Sequence, residues 1–326
     1  MSKFSSVKQS VKNENMNDSL YQAGAVARPE LVPGAHAYTK KLAIVIPTYN
    51  RNDTTQACIS SLSLKSDLNP PPCIKIFICD SNSTDGTRDA FVGQLGVEVI
   101  NVGNDCWWTG AVNRGIAIAL TEGYEFVLVL NDDIDIPPHL IDSMLEKARL
   151  NPGKIISPAQ RTRQGIFLGM NYSGSLKLPN VIWAGGEHVQ VDVETSNGCC
   201  LLIPMVTFQI IGLFDETHCP HLYGDTEFQT RAWNYGLGTK AFSDIAISQH
   251  ENTDYFRKLS FWSLLTHKGS PVHLLAYVTF GRSLFQGWHK FIFLGLYHHH
   301  LFLRSLLKAV YVLLRQGINS MQRMKC

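Results

Sequence analysis

Four short runs of β-branched, aliphatic and aromatic residues recur from residue 42 onward: LAIVI (Leu42–Ile46), IKIFIC (Ile74–Cys79), VEVI (Val97–Ile100) and FVLVL (Phe126–Leu130). Runs that are apolar nearly throughout have both faces buried, which is the condition of parallel strands covered by helices. The stretches between them, Asp53–Leu62, Asp85–Val92 and Thr109–Leu120, are long enough for crossover helices, and each opens on a residue suited to capping. This alternation predicts an α/β fold with a mostly parallel central sheet flanked by helices. Further on, CCLLIP (Cys199–Pro204) is another apolar segment, and Gly224–Tyr235 has helical spacing with Phe228, Ala232 and Tyr235 on one side. Between them and the first half, Arg161–Glu187 is rich in Gly, Asn and Ser and reads as irregular loops or an acceptor-side insertion.

Three regions follow from this pattern. Residues 1–39 are polar, carry Pro29, Pro33, Gly24 and Gly34, and read as a poorly ordered leader with no apolar stretch of signal-peptide length. Residues 40–255 hold the α/β domain, and residues 256–326 form a helical, basic-amphipathic C-terminal region. With 45% hydrophobic residues and a net charge of +2, the chain supports a full core and lacks the basic footprint of a nucleic-acid binder. Its eight cysteines include no C-x-x-C pair and fit a reducing cytosol.

In open parallel sheets a ligand sits beyond the C-terminal strand ends, and there the polar residues gather. Pro47, Thr48, Tyr49, Asn50 and Arg51 follow the first run, Asp80–Ser83 the second, and Asn131-Asp132-Asp133 the fourth. Two adjacent carboxylates at a strand end suit Mg²⁺ or Mn²⁺ held against a diphosphate, although Asn and Asp also make plain turns. Asp80 is placed to accept the imide N–H of uracil or thymine, or to form an Asx turn. In WWTGAVNRG, Gly110 and the helix N-terminus offer a phosphate contact, with Asn113 the best-placed side chain. Asp225, in LYGDTEFQTR, opens a helix as either general base or N-terminal anion, and Glu227 stands four residues before Arg231 as an ion-pair partner. His250, in ISQHEN, is a further metal ligand or a surface imidazole.

Taken in order, IVIPTYNR, CDSNSTDGT, LNDDI and LYGDTEFQTR resemble the motifs of the family 2 glycosyltransferases of GT-A fold, of the rhamnosyltransferase-like kind that builds bacterial O-antigen and capsule. The resemblance spans about Lys41 to Asn252. It implies Thr48, Asn50, Asp80 and Asp132 as nucleotide-sugar contacts, Asn113 at the donor phosphate or sugar, Asp133 and His250 on the metal, and Asp225 as base. It also implies an inverting single displacement from a UDP- or dTDP-sugar to a saccharide or polyprenyl-diphosphate-linked acceptor. Two positions depart from the family pattern: Asn131 stands where the metal motif has its first Asp, and Gly224 where a Glu commonly precedes the base.

Within Phe261–Gln316, Arg282, Lys290, Arg304 and Lys308 interrupt an apolar stretch and fall on one helical side. That pattern fits an interfacial helix on anionic lipid, giving a cytoplasmic protein peripheral on the inner membrane, and equally a helical subdomain packed on the core. Two other functions share the fold. A sugar nucleotidyltransferase needs a Gly-rich basic loop where this chain has IPTYNRND. A catalytically impaired nucleotide-sugar-binding protein is the reading that the departures at Asn131 and Gly224 keep open.

Overall fold

The structure, a computed structural model, describes residues 42–62, 73–174, 177–250, 266–268, 270, 273–285 and 303. The predicted leader lies outside the described residues, as does most of the C-terminal region with Lys290, Arg304 and Lys308.

Strands β1 (Leu42–Thr48), β2 (Ile74–Asp80), β3 (Val97–Asn101) and β4 (Phe126–Leu130) are the four predicted runs. Helices α1 (Asn52–Ser61) and α2 (Trp107–Glu122) connect them. Beyond β4 come β5 (Ile134–Asp135), α3 (Leu140–Leu150), β6 (Ile155–Thr162), β7 (Gly165–Ser173), β8 (Leu178–Trp183), β9 (Gln190–Val193), β10 (Cys200–Pro204) and α4 (Met205–Ile211). Helix α5 (Gly224–Asn234), β11 (Thr239–Gln249) and α6 (Leu274–Leu284) complete the described elements. The sheet runs β3-β2-β1-β4-β10-β6-β11-β5, with β7 and β8 extending from β6 and β9 from β11. β3, β2, β1 and β4 are mutually parallel, whereas β10 pairs antiparallel to β4.

Side chains alternate across this sheet with the strand period of two, and the alternation makes two cores. Leu42, Ile44 and Ile46 of β1 and Phe126, Leu128 and Leu130 of β4 face one side, under Cys58 of α1 and Leu140, Met144 and Leu145 of α3. Ala43 and Val45 with Val127 and Val129 face the other, under Val112 and Ile116 of α2, Phe208 of α4 and Phe228 of α5. Each strand is thus buried on both faces, which is why it reads as an unbroken apolar run. Helix α2 lies close enough to the sheet that a Cβ at Gly115 would sit 2.7 Å from Val45 Cγ1 and 2.9 Å from Cys79 Sγ.

Three local expectations are corrected. Asp85–Val92 is not a crossover helix: only a 3₁₀ turn, Asp89–Phe91, forms there. The Asp85 carboxylate instead accepts the Asn52 amide at 2.9 Å and the Thr87 amide at 3.0 Å. Asp85 therefore supplies, from another loop, the cap that α1 lacks on its own side chains. Arg161–Glu187 is not irregular but contains β7 and β8, paired antiparallel, whose half-exposed residues dilute the hydrophobic signal. Tyr235 falls just past α5 and is exposed, while Phe228 and Ala232 are buried as expected. In the C-terminal region, α6 packs on the α/β domain: Phe280, Leu284 and Phe285 form a buried cluster with Tyr172, against Tyr223. Asn234 Nδ2 also donates to Ser283 O at 2.8 Å. No helix among the described residues is long and apolar enough to cross a membrane.

Candidate functional site

The parallel register sets Thr48, at the end of β1, opposite Asp80, at the end of β2. The loops beyond are stapled together by Asn50, whose Oδ1 accepts the Thr84 amide at 2.8 Å while its own amide donates to Ser83 Oγ at 2.8 Å. Asn50 adopts a left-handed φ of 50°, a conformation Asn tolerates better than most residues. Asp80 is fully buried. Its carboxylate accepts the Ser83 amide at 3.2 Å, a local turn contact of the kind the sequence allowed, and pairs with Arg88 at 3.1 Å, which the sequence reading did not include.

At the end of β4, Asp132 is the hub. Thr55 Oγ1 donates to its Oδ2 at 2.8 Å and Thr48 Oγ1 at 3.4 Å, while Arg51 Nη1 meets Oδ1 at 3.1 Å. Burial pushes the Asp132 carboxyl above the usual carboxylate range, and Arg51 and the Thr55 hydroxyl oppose that shift. Asp133 accepts Arg51 Nη2 at 3.2 Å on Oδ2 and Gln249 Nε2 at 3.4 Å on Oδ1. One guanidinium therefore bridges two neighbouring carboxylates. Asn131 Oδ1 accepts Trp108 Nε1 at 2.8 Å, an indole contact that a neutral amide oxygen satisfies.

His250 lies beside this group through its backbone, its amide donating to Asp133 O at 2.9 Å. Its imidazole, however, is bound to Asp135, with Nε2 2.9 Å from Oδ1. Among the described residues no three His, Cys, Asp or Glu side chains gather into a metal-holding cluster. Asn113 is bonded within the chain: its amide exchanges bonds with Phe214 O and N at 2.9 and 3.1 Å and donates to Glu216 at 3.1 Å. A Cβ at Gly110 would meet the same Glu216 carboxylate at 3.3 Å. Asn113 thus ties α2 to the segment 214–216, and its side chain is fully occupied in that tie.

Asp225 enters from the other half of the chain, in the first turn of α5, which starts after Tyr223 in a left-handed conformation with φ 66°. Burial raises the Asp225 carboxyl above its ordinary value, and only Thr226 contributes side-chain hydrogen bonding against that shift. The preceding Gly224 has no room for a side chain, because a Cβ there would lie 2.5 Å from the Thr109 hydroxyl. Thr109 Oγ1 is itself held by Cys219 O at 2.6 Å. The departure from the Glu-Asp pair therefore has a packing cause.

The segment 198–199 joins the two acidic groups. Cys199 O accepts the Asn131 amide at 2.8 Å, and the Cys199 thiol is pushed up by burial and then by the charges of both Asp133 and Asp225. The segment 198–199 thus touches both the backbone at the end of β4 and the Asp225 side chain. Gly198 backs directly onto Asp225: a Cβ at that position would stand 2.5 Å from the carboxyl Cγ. Gly198→Ala is accordingly expected to displace the Asp225 side chain and lower turnover by at least about tenfold. Circular dichroism should show an intact fold, and full activity in a folded Gly198→Ala variant would remove Gly198 from the site. Arg51, Thr55, Gln249 and Gly198 were not singled out by sequence; the signal available for Arg51 was the need of two adjacent buried acids for a counter-charge.

Residues 43–187 match the family model described as Glycosyl transferase family 2. The fold is a mixed α/β arrangement, a central sheet flanked by helices, matching GT-A glycosyltransferase neighbours. A curated relative, the low-salt glycan biosynthesis hexosyltransferase Agl10 of Haloferax volcanii, is 26% identical over 199 residues, covering 59% of this chain and 61% of that protein. The chain thus matches less than two thirds of that relative's length. Among solved structures, the mannosyltransferase PcManGT from Pyrobaculum calidifontis, in complex with GDP-Man and Mn²⁺, superposes with a TM-score of 0.51 at 14% identity, covering 86% of this chain and 76% of that one. GalNAc-T7 with UDP, GalNAc and Mn²⁺ gives 0.60 at 10%, covering 79% and 50%. S. aureus TarS with UDP-GlcNAc gives 0.53 at 15%, covering 79% and 71%. At these identities the structural likeness establishes the fold.

Proposed function

We propose that this chain is an inverting glycosyltransferase that moves a sugar from a nucleotide diphosphate donor to a hydroxyl of a saccharide or lipid-linked saccharide in surface polysaccharide synthesis. The observation that carries the reading is that the segment 198–199 touches both the end of β4, where Asp133 follows, and the Asp225 side chain at the start of a distant helix, which supports a cleft shared by the two acids. The donor nucleotide lies along the ends of β1 and β2, with Thr48, Asn50 and Asp80 shaping its loop and Asp132 holding that loop's Arg51 in place. The departures at Asn131 and Gly224 weigh little against activity, since Trp108 and Thr109 account for each locally.

Asp133 is a hard oxygen donor suited to Mg²⁺ or Mn²⁺, which commonly bind through one or two carboxylates with substrate phosphates completing the shell. His250, already bonded to Asp133 through its backbone, is the proposed second ligand once its imidazole leaves Asp135. When bound, the cation offsets the charge developing on the diphosphate leaving group. Asp225 receives the proton from the acceptor hydroxyl as that oxygen attacks the anomeric carbon, and its raised affinity for protons makes it a stronger base than an ordinary surface carboxylate. The structural neighbours hold GDP-Man, UDP with GalNAc, and UDP-GlcNAc, so UDP- and dTDP-sugars are tested beside GDP-sugars. Contact of the C-terminal region with anionic membrane belongs to the same proposal, and flotation with anionic vesicles at low salt checks it.

A thermal-shift screen of nucleotide sugars with Mn²⁺ tests the reading, because a ligand bound only by the folded form stabilises it by about 2.7 kcal/mol at a hundredfold excess over Kd. Asp133→Ala is expected to remove most of the metal-dependent part of that shift and to abolish the metal response of transfer. A full response in the Asp133→Ala variant would move the metal elsewhere, and the absence of any shift with every donor would reject the glycosyltransferase reading.

A further inference from the structure

We infer that Arg51 is an exchangeable internal counter-ion, holding Asp133 in the free protein and passing to the donor diphosphate when a divalent cation takes that carboxylate. The inference rests on the glycosyltransferase reading above and assigns a role to a residue that reading left out.

The bridge is asymmetric in what anchors it. Asp132 is fixed from behind by Thr55 and Thr48, so the Arg51 Nη1 contact to Asp132 Oδ1 at 3.1 Å has a rigid acceptor. Among the described residues, Asp133 has only the 3.4 Å contact from Gln249 on its other oxygen. The Nη2 contact to Asp133, at 3.2 Å, is therefore the one that can open without disturbing the hub. Arg51 itself is accessible, with its side chain 32% exposed, and it sits at the start of α1 immediately after the loop between β1 and that helix.

Charge favours the exchange. The guanidinium is a resident positive charge on Asp133 Oδ2, and its repulsion toward a divalent cation on the same carboxylate is relieved when it lets go. A guanidinium pivoting about Asp132 keeps one ion pair and turns its released N–H edge toward the strand ends of β1 and β4. A planar fork of donors is the group that best matches phosphate oxygens. The same side chain then stabilises the acidic pair before donor arrives and the leaving diphosphate afterward, with no buried charge left unpaired at either stage.

Arg51→Gln separates this role from simple structural support, because the two ligands move in opposite directions. Mn²⁺ uptake without nucleotide, followed by loss of the free-ion paramagnetic resonance signal, is expected to tighten about fivefold to tenfold, the range for removing a partly exposed competing charge. UDP binding in the presence of chelator, followed by calorimetry, is expected to weaken by about the same factor. Arg51→Lys retains a charge that cannot bridge both carboxylates. It is expected to show a smaller Mn²⁺ gain with UDP affinity within about threefold of the parent. If Mn²⁺ and UDP affinities fall together in the Arg51→Gln variant, or if Mn²⁺ affinity is unchanged in both variants, the counter-ion role is overturned while the glycosyltransferase reading stands. If the parent protein takes up neither Mn²⁺ nor any nucleotide, that underlying reading is overturned instead.

Discussion

Asp225→Asn is expected to lower sugar transfer by at least about a hundredfold while leaving donor affinity within about twofold, the pattern of a group that acts on the acceptor proton in the transition state. Stopped-time product assays with a labelled donor, beside calorimetric donor binding, read the two quantities separately. The same substitution is expected to raise the melting temperature at neutral pH. Burial raises the folded-state pKa of Asp225, so the folded form holds this proton more tightly than the unfolded chain does. The stabilisation from that proton is complete below the unfolded value and is lost as pH rises through the raised folded value. An amide removes the ionisation and keeps the shape. For the parent protein, the acid limb of the kcat/KM profile should lie above the ordinary carboxylate range, and it should vanish from the residual activity of the Asp225→Asn variant. Unchanged transfer in that variant would take the base away from α5.

Arg231→Ala is expected to have the largest effect on stability, destabilising the fold by about 3–5 kcal/mol, the range for stripping one partner from a buried ion pair. Arg231 meets Glu227 in a two-pronged contact, Nε to Oε1 and Nη2 to Oε2 both at 3.0 Å, with both side chains nearly closed off from water. The guanidinium also donates to Ile211 O and to Leu213 O, and Ser283 Oγ donates to Glu227 Oε1. Helix α5 is thus locked to the turn after α4 and to α6, and Asp225 stands on its first turn. Removing Glu227's charge as well, by Glu227→Gln, should recover part of the loss because no unpaired buried charge remains. Urea midpoints of the single and double variants measure this, and a shift under about 1 kcal/mol for Arg231→Ala would mean that the pair is not holding the helix.

These two residues also mark what sequence could and could not reveal. The Glu227–Arg231 pairing is a matter of four-residue spacing on one helix, and it was legible. So were the four parallel strands, most plainly β1 and β4, whose burial on both faces leaves an unbroken apolar signature, and the acids at the strand ends. Contacts between distant segments were not legible. Asn113 carries the same residue type whether it faces a phosphate or ties α2 to Phe214, and spacing does not distinguish the two. Asp85 looked like the start of its own helix, yet it caps α1 across 33 residues. The β7–β8 pair was obscured because its exposed edge tolerates Gly, Asn and Ser, which read as loop. Gly198 gave no signal at all, since its role is the volume it leaves empty for the Asp225 carboxyl.

The most direct measurement of the central claim uses Mn²⁺ as a distance probe. With UDP and Mn²⁺ bound to ¹⁵N-labelled protein, paramagnetic broadening at an Asp133-centred cation should erase the amide signals of Cys199 and Asp225 together with those of Asp132 and His250. The Asp133→Ala variant should restore all of them. Persistence of sharp Asp225 and Cys199 signals, while those around Asp133 disappear, would place the proton acceptor and the metal in separate sites and contradict the shared cleft.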